Sequence, residues 1–124
     1  MRHVRLFSSN YAGLLEGMTG VWNLMQIEEE LSGYPPKVIG YMSLLFYRSL
    51  FYKVGTTQVN ELIIDKAYRN KGYGKELLEY GIKRAVERGM DEIEIGVEKE
   101  NKKAIEFYKR NGIEEEYYLL GKEL

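Results

Sequence analysis

Cysteine is absent from the 124-residue sequence. Disulfide bonds, thiolate zinc sites and a cysteine nucleophile are therefore excluded, and a cytoplasmic location is the one that we expect. No hydrophobic run reaches the roughly 18 residues that a membrane-spanning helix needs, and the first residues lack the apolar stretch of a secretory signal. The sequence therefore predicts no membrane partner.

Neither sign of charge is in excess, because 18 lysine and arginine residues stand against 19 aspartate and glutamate residues. This balance excludes a module that holds nucleic acid by bulk positive charge, so we predict no nucleic-acid partner. The single histidine, His3, lies near the amino terminus, which argues against histidine catalysis. Without a second histidine the acidic residues form no zinc-binding pattern, and we predict no metal.

Linkers and internal repeats are also missing, so we predict a single domain over residues 1–124. Residues 38–47 are nearly all apolar, which predicts a central strand covered on both faces. Residues 21–30 fit either a strand joined to it as a hairpin or a helix. Residues 58–65 alternate weakly, so that Val59, Glu61 and Ile63 are expected on one face of a further strand.

The second half of the chain carries clearer periodicities. Residues 74–88 predict an amphipathic helix, in which Gly81 is best explained by close packing against a sheet, since glycine costs about 1 kcal/mol in mid-helix. Residues 91–98 alternate as a strand, and Asn101 is placed to cap a short helix that ends at Gly112. A last strand is expected over residues 117–124. This order predicts a mixed α/β sheet.

The densest cluster of unusual residues is the stretch 68–75, Tyr-Arg-Asn-Lys-Gly-Tyr-Gly-Lys, between a predicted strand and a predicted helix. Unpaired N–H groups at a helix start, two glycines and nearby cations are typical of a phosphate site. Leu77 breaks the dinucleotide-binding pattern, and Glu76 stands where a P-loop has serine or threonine. An ordinary tight turn is the alternative that these residues alone leave open.

Three segments together resemble the GNAT superfamily of N-acetyltransferases: Arg69-x-x-Gly72-x-Gly74, the preceding Glu61-Leu62-Ile63-Ile64, and Asn101 to Gly112 some thirty residues later. The likeness covers roughly residues 38–124. It implies a mixed, largely antiparallel sheet flanked by helices, with a central splayed parallel strand pair. Relative to that fold we expect the amino-terminal part of this chain to be shortened. It also implies acetyl-CoA as co-substrate and transfer of its acetyl group to an amine acceptor.

The resemblance further implies which residues bind acetyl-CoA. The turn between strand and helix grips the diphosphate, and the preceding strand bonds the pantetheine arm as an added strand would. The expected cofactor-binding residues are Leu62, Ile63, Ile64, Arg69, Asn70, Lys71, Gly72, Tyr73, Gly74, Lys75 and Asn101.

Acetyl transfer to an amine requires two proton transfers, because a free amine of pKa near 10 arrives protonated and the thiolate must leave as a thiol. Glu61 is the candidate base, acting directly or through water. A solvated or salt-bridged carboxylate is the alternative. Tyr108 stands where many family members have the tyrosine that protonates the sulfur. A merely packed aromatic residue is the alternative.

Two further interpretations remain open at this stage. The first is an inactive acyl-CoA-binding or protein-interaction module on the same fold, and the second is a scaffold that binds no cofactor. Because only about twenty residues precede residue 21, where the family places a strand and two helices, we keep a homodimer that completes the acceptor pocket as a hypothesis. The acceptor amine cannot be identified from these residues.

Overall fold

A computed structural model describes residues 2–11, 20–48 and 52–124, with side chains described for residues 23–48 and 52–124. The elements in this part of the chain are β1 (Arg2–Tyr11), β2 (Gly20–Leu31), β3 (Lys37–Tyr47), β4 (Thr56–Ile64), a 3₁₀ turn (Lys66–Tyr68), α1 (Tyr73–Glu87), β5 (Glu92–Ile95) and α2 (Lys102–Arg110).

The strands form one sheet in the order β1-β2-β3-β4-β5. The first three pairings are antiparallel, whereas β4 and β5 are parallel and are joined by α1. The predicted mixed, largely antiparallel sheet with one parallel pair is therefore confirmed. The hairpin interpretation of residues 21–30 is also confirmed, and its helical alternative is wrong, because β2 pairs with β3 along nearly its whole length.

The first strand, β1, was not predicted from the sequence. It pairs with β2 from Arg2 opposite Leu31 to Tyr11 opposite Trp22, so the opening strand of the resembled fold is present. Only residues 12–19 connect it to β2, and they lie outside the described residues. This interval is shorter than one average helix of about 11 residues.

Helix α1 packs on one face of the sheet, where it crosses β2, β3, β4 and β5. Helix α2 joins the same hydrophobic core through Tyr108. The core between helices and sheet consists of Met25, Ile27, Ile39, Met42, Leu44, Phe46, Val59, Leu77, Leu78, Ala85 and Tyr108. Gly81 lies at the closest approach of α1, since a Cβ atom there would be 2.3 Å from Cε of Met42. The predicted close packing at this glycine is confirmed.

The central strand β3 is less fully covered than predicted. Met42, Leu44 and Phe46 are buried on the face that carries the helices, whereas Tyr41 and Ser43 on the other face are half-buried. Residues of β3 therefore alternate in burial, as expected for a strand with a helix layer on one side. We call the side away from the helices the outer face of the sheet.

An extra residue interrupts the pairing of β3 with β4. Ser43 lies opposite Glu61 and Leu44 opposite Val59, so that Asn60 has no partner and forms a β-bulge. A bulge shifts the alternation of side chains by one residue. The prediction that Val59 and Glu61 share a face is therefore wrong: Val59 is 1% exposed in the core, whereas Glu61 is exposed.

The parallel pairing of β4 with β5 ends at the same place. It runs from Thr56 opposite Glu92 to Val59 opposite Ile95 and stops before the bulge. The strand predicted for residues 91–98 is thus shorter and ends at Ile95. Beyond that residue β4 and β5 are no longer paired. This is the splayed parallel pair that the family resemblance implied.

The strand expected over residues 117–124 is not formed. These residues have no regular structure, and Tyr118, Leu119 and Leu120 are 90%, 90% and 91% exposed. The neighbouring sheet edge is β5, which has only four residues. Tyr117 approaches that strand through its hydroxyl, which is 3.2 Å from Oε2 of Glu92, and not through a backbone ladder.

Candidate active site

The turn that follows β4 is fixed by hydrogen bonds to both its ends. The N–H of Asp65 donates to the carbonyl of Ile39 at 2.7 Å, and the Asp65 carboxylate accepts from the N–H of Ala67 at 3.0 Å. Nε of Arg69 donates to the Ile64 carbonyl at 2.9 Å. These contacts hold the chain in a tight reversal between the end of β4 and the start of α1.

The reversal presents the first turn of α1 without a side-chain cap. Asn70 and Gly72 have left-handed backbones, with φ of 62° and 87°, and Gly72 is the N-cap residue. The first helical hydrogen bond runs from the Glu76 N–H to the Gly72 carbonyl at 3.1 Å. The N–H groups of residues 73–75 therefore lack an acceptor within the helix, which leaves a site suited to an anion.

Space around this helix start is open on one side and closed on the other. A Cβ atom at Gly72 would meet no other atom within 4 Å, whereas one at Gly74 would lie 3.5 Å from Cζ of Phe107 and 3.8 Å from Cγ1 of Ile64. The start of α1 thus sits between the end of β4 and α2. The fold brings together the three segments that carry the family resemblance.

Two cations flank the aromatic ring of Tyr68 beside the turn. Nζ of Lys71 is 5.7 Å from the ring centroid, and Nζ of Lys37, on β3, is 5.3 Å from it. The Tyr73 ring lies 6.3 Å from that of Tyr68. Lys37 was missed by the sequence analysis, because only the antiparallel pairing of β3 brings its start beside the turn.

The side chains of three further predicted cofactor residues make polar contacts within the protein. Oδ1 of Asn101 accepts from the N–H of Ala104 at 3.2 Å and caps α2, as predicted. Lys75 pairs with Glu79 at 3.9 Å on the exposed surface of α1. Arg69 uses Nε to close the turn, which leaves the other donors of its guanidinium group for a ligand.

Beyond the bulge, one edge of β4 is open. The Asp65 N–H points to β3, and alternate residues of a strand direct their backbone groups to the same side. Ile63 therefore also bonds to β3, whereas Leu62 and Ile64 direct their N–H and C=O groups to the side that β5 has left. The Ile64 carbonyl is taken by the arginine of the turn, so two N–H donors and one acceptor remain.

Glu61 projects from the outer face of the sheet. Its Oε2 accepts a hydrogen bond from the Tyr41 hydroxyl at 2.9 Å. That hydrogen bond is the main reason why the pKa of Tyr41 is raised above its ordinary value. Within the described residues, no lysine or arginine lies within ion-pair distance of this carboxylate. The salt-bridged alternative is therefore not what the structure shows.

Tyr108 lies on α2 and is 8% exposed. Its ring packs edge-on against Phe107, with centroids 5.2 Å apart. Burial raises the pKa of its phenol above the ordinary value of about 10, so the hydroxyl keeps its proton at neutral pH. The residue therefore contributes to the core and also carries a proton that it can donate.

The described part of the chain contains no cluster of three or more histidine, cysteine, aspartate or glutamate side chains placed to hold a metal ion. The side chain of His3 lies outside it. Within the same residues, none of the helices has the length and apolar character needed to cross a bilayer.

Comparison with known proteins agrees with this geometry. The sequence model of the acetyltransferase (GNAT) family matches residues 18–113, well over half of the chain. An uncharacterized N-acetyltransferase of Methanocaldococcus jannaschii is 41% identical over 64 residues, which are 52% of this chain and 28% of that protein. The chain thus spans little more than a quarter of this curated relative.

Solved structures show the same fold at lower identity. Glucosamine-6-phosphate N-acetyltransferase from Arabidopsis thaliana is 23% identical with a TM-score of 0.68, over 85% of this chain and 67% of that one. An AAC(6')-Iy structure, in complex with the bisubstrate analogue CoA-S-monomethyl-acetylneamine, is 12% identical with a TM-score of 0.70. It covers 98% of this chain and 99% of its own. At these identities the likeness establishes the fold alone.

Proposed function

Because the chain belongs to the GNAT family of acetyltransferases, we propose that it transfers the acetyl group of acetyl-CoA to a primary amine. The amine attacks the thioester directly in a ternary complex, so that a C–N bond forms and the C–S bond breaks. The observation that carries this proposal is the uncapped start of α1 beside the open edge of β4. Family members use acetyl-CoA, and it supplies the activated acetyl group.

The turn has the properties that a diphosphate requires. The N–H groups of residues 73–75 are unpaired within the helix, and the positive end of the α1 dipole favours an anion. Gly72 leaves open space for the approach. Asn70, Lys71 and the free donors of Arg69 add polar and cationic groups around it. These residues would hold the diphosphate of acetyl-CoA.

The open edge of β4 has the properties that the pantetheine arm requires. Leu62 offers one N–H and one C=O, and Ile64 offers one N–H, in the pattern that an added strand would bond. A backbone N–H directed at the thioester carbonyl stabilises the oxyanion that forms on attack, an effect worth about 3 kcal/mol in other enzymes. Ile63 turns its backbone to β3 and contributes only an exposed side chain.

Two residues of the chain handle the protons. Glu61 takes the proton from the attacking amine, either directly or through a water molecule. Tyr108 gives its phenolic proton to the departing sulfur, and its raised pKa keeps that proton available at neutral pH. Asn101 caps α2, the helix that carries Tyr108. We propose that it contributes to the cofactor site by holding this helix in place.

The short connection between β1 and β2 leaves little chain to close an acceptor pocket. We therefore propose that a second copy completes the pocket in a homodimer, and that the enzyme works in the cytoplasm. Sedimentation at micromolar concentration tests the first point, since a monomer with full activity would exclude the homodimer.

The function is tested by mixing the protein with acetyl-CoA and a panel of primary amines, and by detecting the thiol that is released. The chain has no cysteine, so every thiol in the assay comes from coenzyme A. Calorimetry with acetyl-CoA runs in parallel. Binding together with amine-dependent thiol release supports the enzyme, and binding without thiol release indicates an acyl-CoA-binding module. If the protein shows no binding and releases no thiol, the proposal is overturned.

A further inference from the structure

The hydroxyl of Tyr41 donates to Oε2 of Glu61 at 2.9 Å across two neighbouring strands. We propose that Tyr41 is a positioning residue for acetyl transfer, which holds the carboxylate of Glu61 in place while its second oxygen accepts the proton of the amine. This inference rests on the proposed function, and it adds a residue that the sequence motif does not contain.

The backbone explains why these two side chains meet. The bulge at Asn60 turns Glu61 out of the core and onto the outer face. In the register beyond the bulge Tyr41 lies opposite Ile63, so Tyr41 and Glu61 are diagonal neighbours on one face. Diagonal pairs in antiparallel strands are within reach of long side chains. If the same residues alternated regularly with no bulge, Glu61 would share the face of Val59 and its carboxylate would point to the helices.

The contact restricts a side chain that nothing else in the described residues restricts. Glu61 is exposed and has no ion pair there, and Tyr41 is its one hydrogen-bond partner within them. A glutamate side chain has several rotatable bonds and loses much freedom when it is fixed. A half-buried tyrosine has only two, so it is the stiffer member of the pair. Oε1 of the carboxylate stays free to accept.

Two similar pairs on the outer face provide a comparison. The Tyr47 hydroxyl donates to Oε1 of Glu94, and that of Tyr52 donates to Oε2 of Glu92, both at 2.6 Å. Their carboxylates belong to β5 within its paired stretch, whereas Glu61 lies past the last pair of the ladder, where the strands separate. Phenol–carboxylate contacts therefore recur on this face. Of these three, the Tyr41–Glu61 contact is the one that borders the cleft, by which we mean the gap between β4 and β5 beyond their last pair.

The test is a double-mutant cycle of Tyr41→Phe and Glu61→Gln, measured by steady-state thiol release with the best amine of the panel. Tyr41→Phe removes only the hydroxyl and is expected to lower kcat about tenfold, a part of the 10²–10⁴-fold that a general base contributes. The KM for acetyl-CoA should stay unchanged. In the Glu61→Gln background the same substitution should change kcat less than twofold, because the group that it positions is gone.

Tyr47→Phe is the matched control, since it removes the same kind of contact from the same strand. It should leave kcat within twofold of the parent in both backgrounds. Thermal denaturation confirms that each variant is folded. Glu61→Asp is a second probe, because the shorter side chain no longer reaches the hydroxyl of Tyr41. Its kcat should be lower than that of the parent and should not change further when Tyr41→Phe is added.

Three results would overturn the inference. The first is a Tyr41→Phe variant with the kcat of the parent. The second is an equal fall in kcat when Tyr41→Phe is made in the parent and in Glu61→Gln, because that indicates a general structural effect. A fall that is matched by Tyr47→Phe would count against it in the same way. If the unmodified protein releases no thiol with any amine, the proposed function fails instead, so the two failures are distinguishable.

Discussion

The glycine at the start of α1 allows a direct test of the anion site, through the substitution Gly72→Glu. A Cβ atom at this position would meet nothing within 4 Å, so the new side chain has room in the folded protein. The backbone φ of 87° costs a non-glycine residue roughly 1–2 kcal/mol. A carboxylate at a helix N-terminus regains about 0.3–1 kcal/mol. The fold should therefore survive.

Binding of acetyl-CoA should not survive. The substitution places a negative charge where we propose the diphosphate, and two unit charges about 5 Å apart repel by about 3 kcal/mol at an effective dielectric constant of about 20. That energy corresponds to at least a hundredfold rise in Kd. Isothermal calorimetry at about 0.15 M salt, where surface charges are screened as in a cell, measures it.

Gly89→Glu is the matched control, because Gly89 ends the same helix with φ of 69° and a Cβ atom there would also meet nothing within 4 Å. It introduces the same charge with a similar strain at the far end of α1. We expect it to bind acetyl-CoA like the parent. Unchanged binding by Gly72→Glu, or equal loss in both variants, would refute the assignment of the anion site.

Further predictions concern catalysis and stability. Tyr108→Phe should lower kcat by roughly 10–1,000-fold without changing the Kd for acetyl-CoA, as thiol-release kinetics and calorimetry can show; an unchanged kcat would remove the tyrosine from the mechanism. The Asp91 carboxylate accepts from the N–H of Gly55 and of the residue before it, and these bonds lower its pKa, that of Gly55 most. The ionised Asp91 carboxylate therefore stabilises the fold above its unfolded pKa of about 3.9, and this stabilisation is lost as pH falls through the lower folded pKa. Asp91→Asn should therefore flatten the acid side of a plot of Tm against pH. A variant curve parallel to that of the parent would contradict this. Gly55→Ala would put Cβ 2.2 Å from the Tyr47 carbonyl oxygen and should cost at least about 2 kcal/mol in denaturant unfolding, whereas Gly96→Ala, which meets nothing within 4 Å, should stay within about 0.5 kcal/mol.

Features that depend on neighbouring residues in the sequence were predictable. The two glycines at 72 and 74 marked the start of α1, Asn101 marked the start of α2, and Gly81 indicated where the helix meets the sheet. In each case one local property, either a cap, a positive φ or a missing Cβ, decides the outcome. The order of these segments was enough to indicate the family, whose model matches the chain.

Features that depend on pairing between distant segments were not predictable. The bulge at Asn60 arises from the register of β4 against β3, and no residue type near it announces an unpaired position. For that reason the alternation of residues 58–65 predicted Val59 and Glu61 on one face, and it did not indicate Tyr41 as a neighbour of Glu61. Lys37 was missed for the same reason, because its distance to Tyr68 depends on the course of β3.

The segment 117–124 shows the opposite error. Its aromatic and aliphatic residues suit a strand locally, yet a strand needs a partner with free backbone groups along its length. The adjacent edge strand has four residues, and the side chains of Tyr118, Leu119 and Leu120 remain in solvent. The β-propensity of residues 117–124 is real, but it does not produce a strand unless a neighbouring strand offers free backbone groups along its length.

Asn60 ties two requirements of the site to one irregularity of the backbone. The extra residue coincides with the end of the β5 ladder and turns Glu61 away from the helices. Amino-acid replacements along β4 leave the number of residues, and hence both properties, as they are. Deleting Asn60 would restore regular alternation with Glu61 still on the outer face, since it would then follow Val59 directly, and would allow β4 and β5 to continue side by side, so the cleft would close while its base stayed where it is.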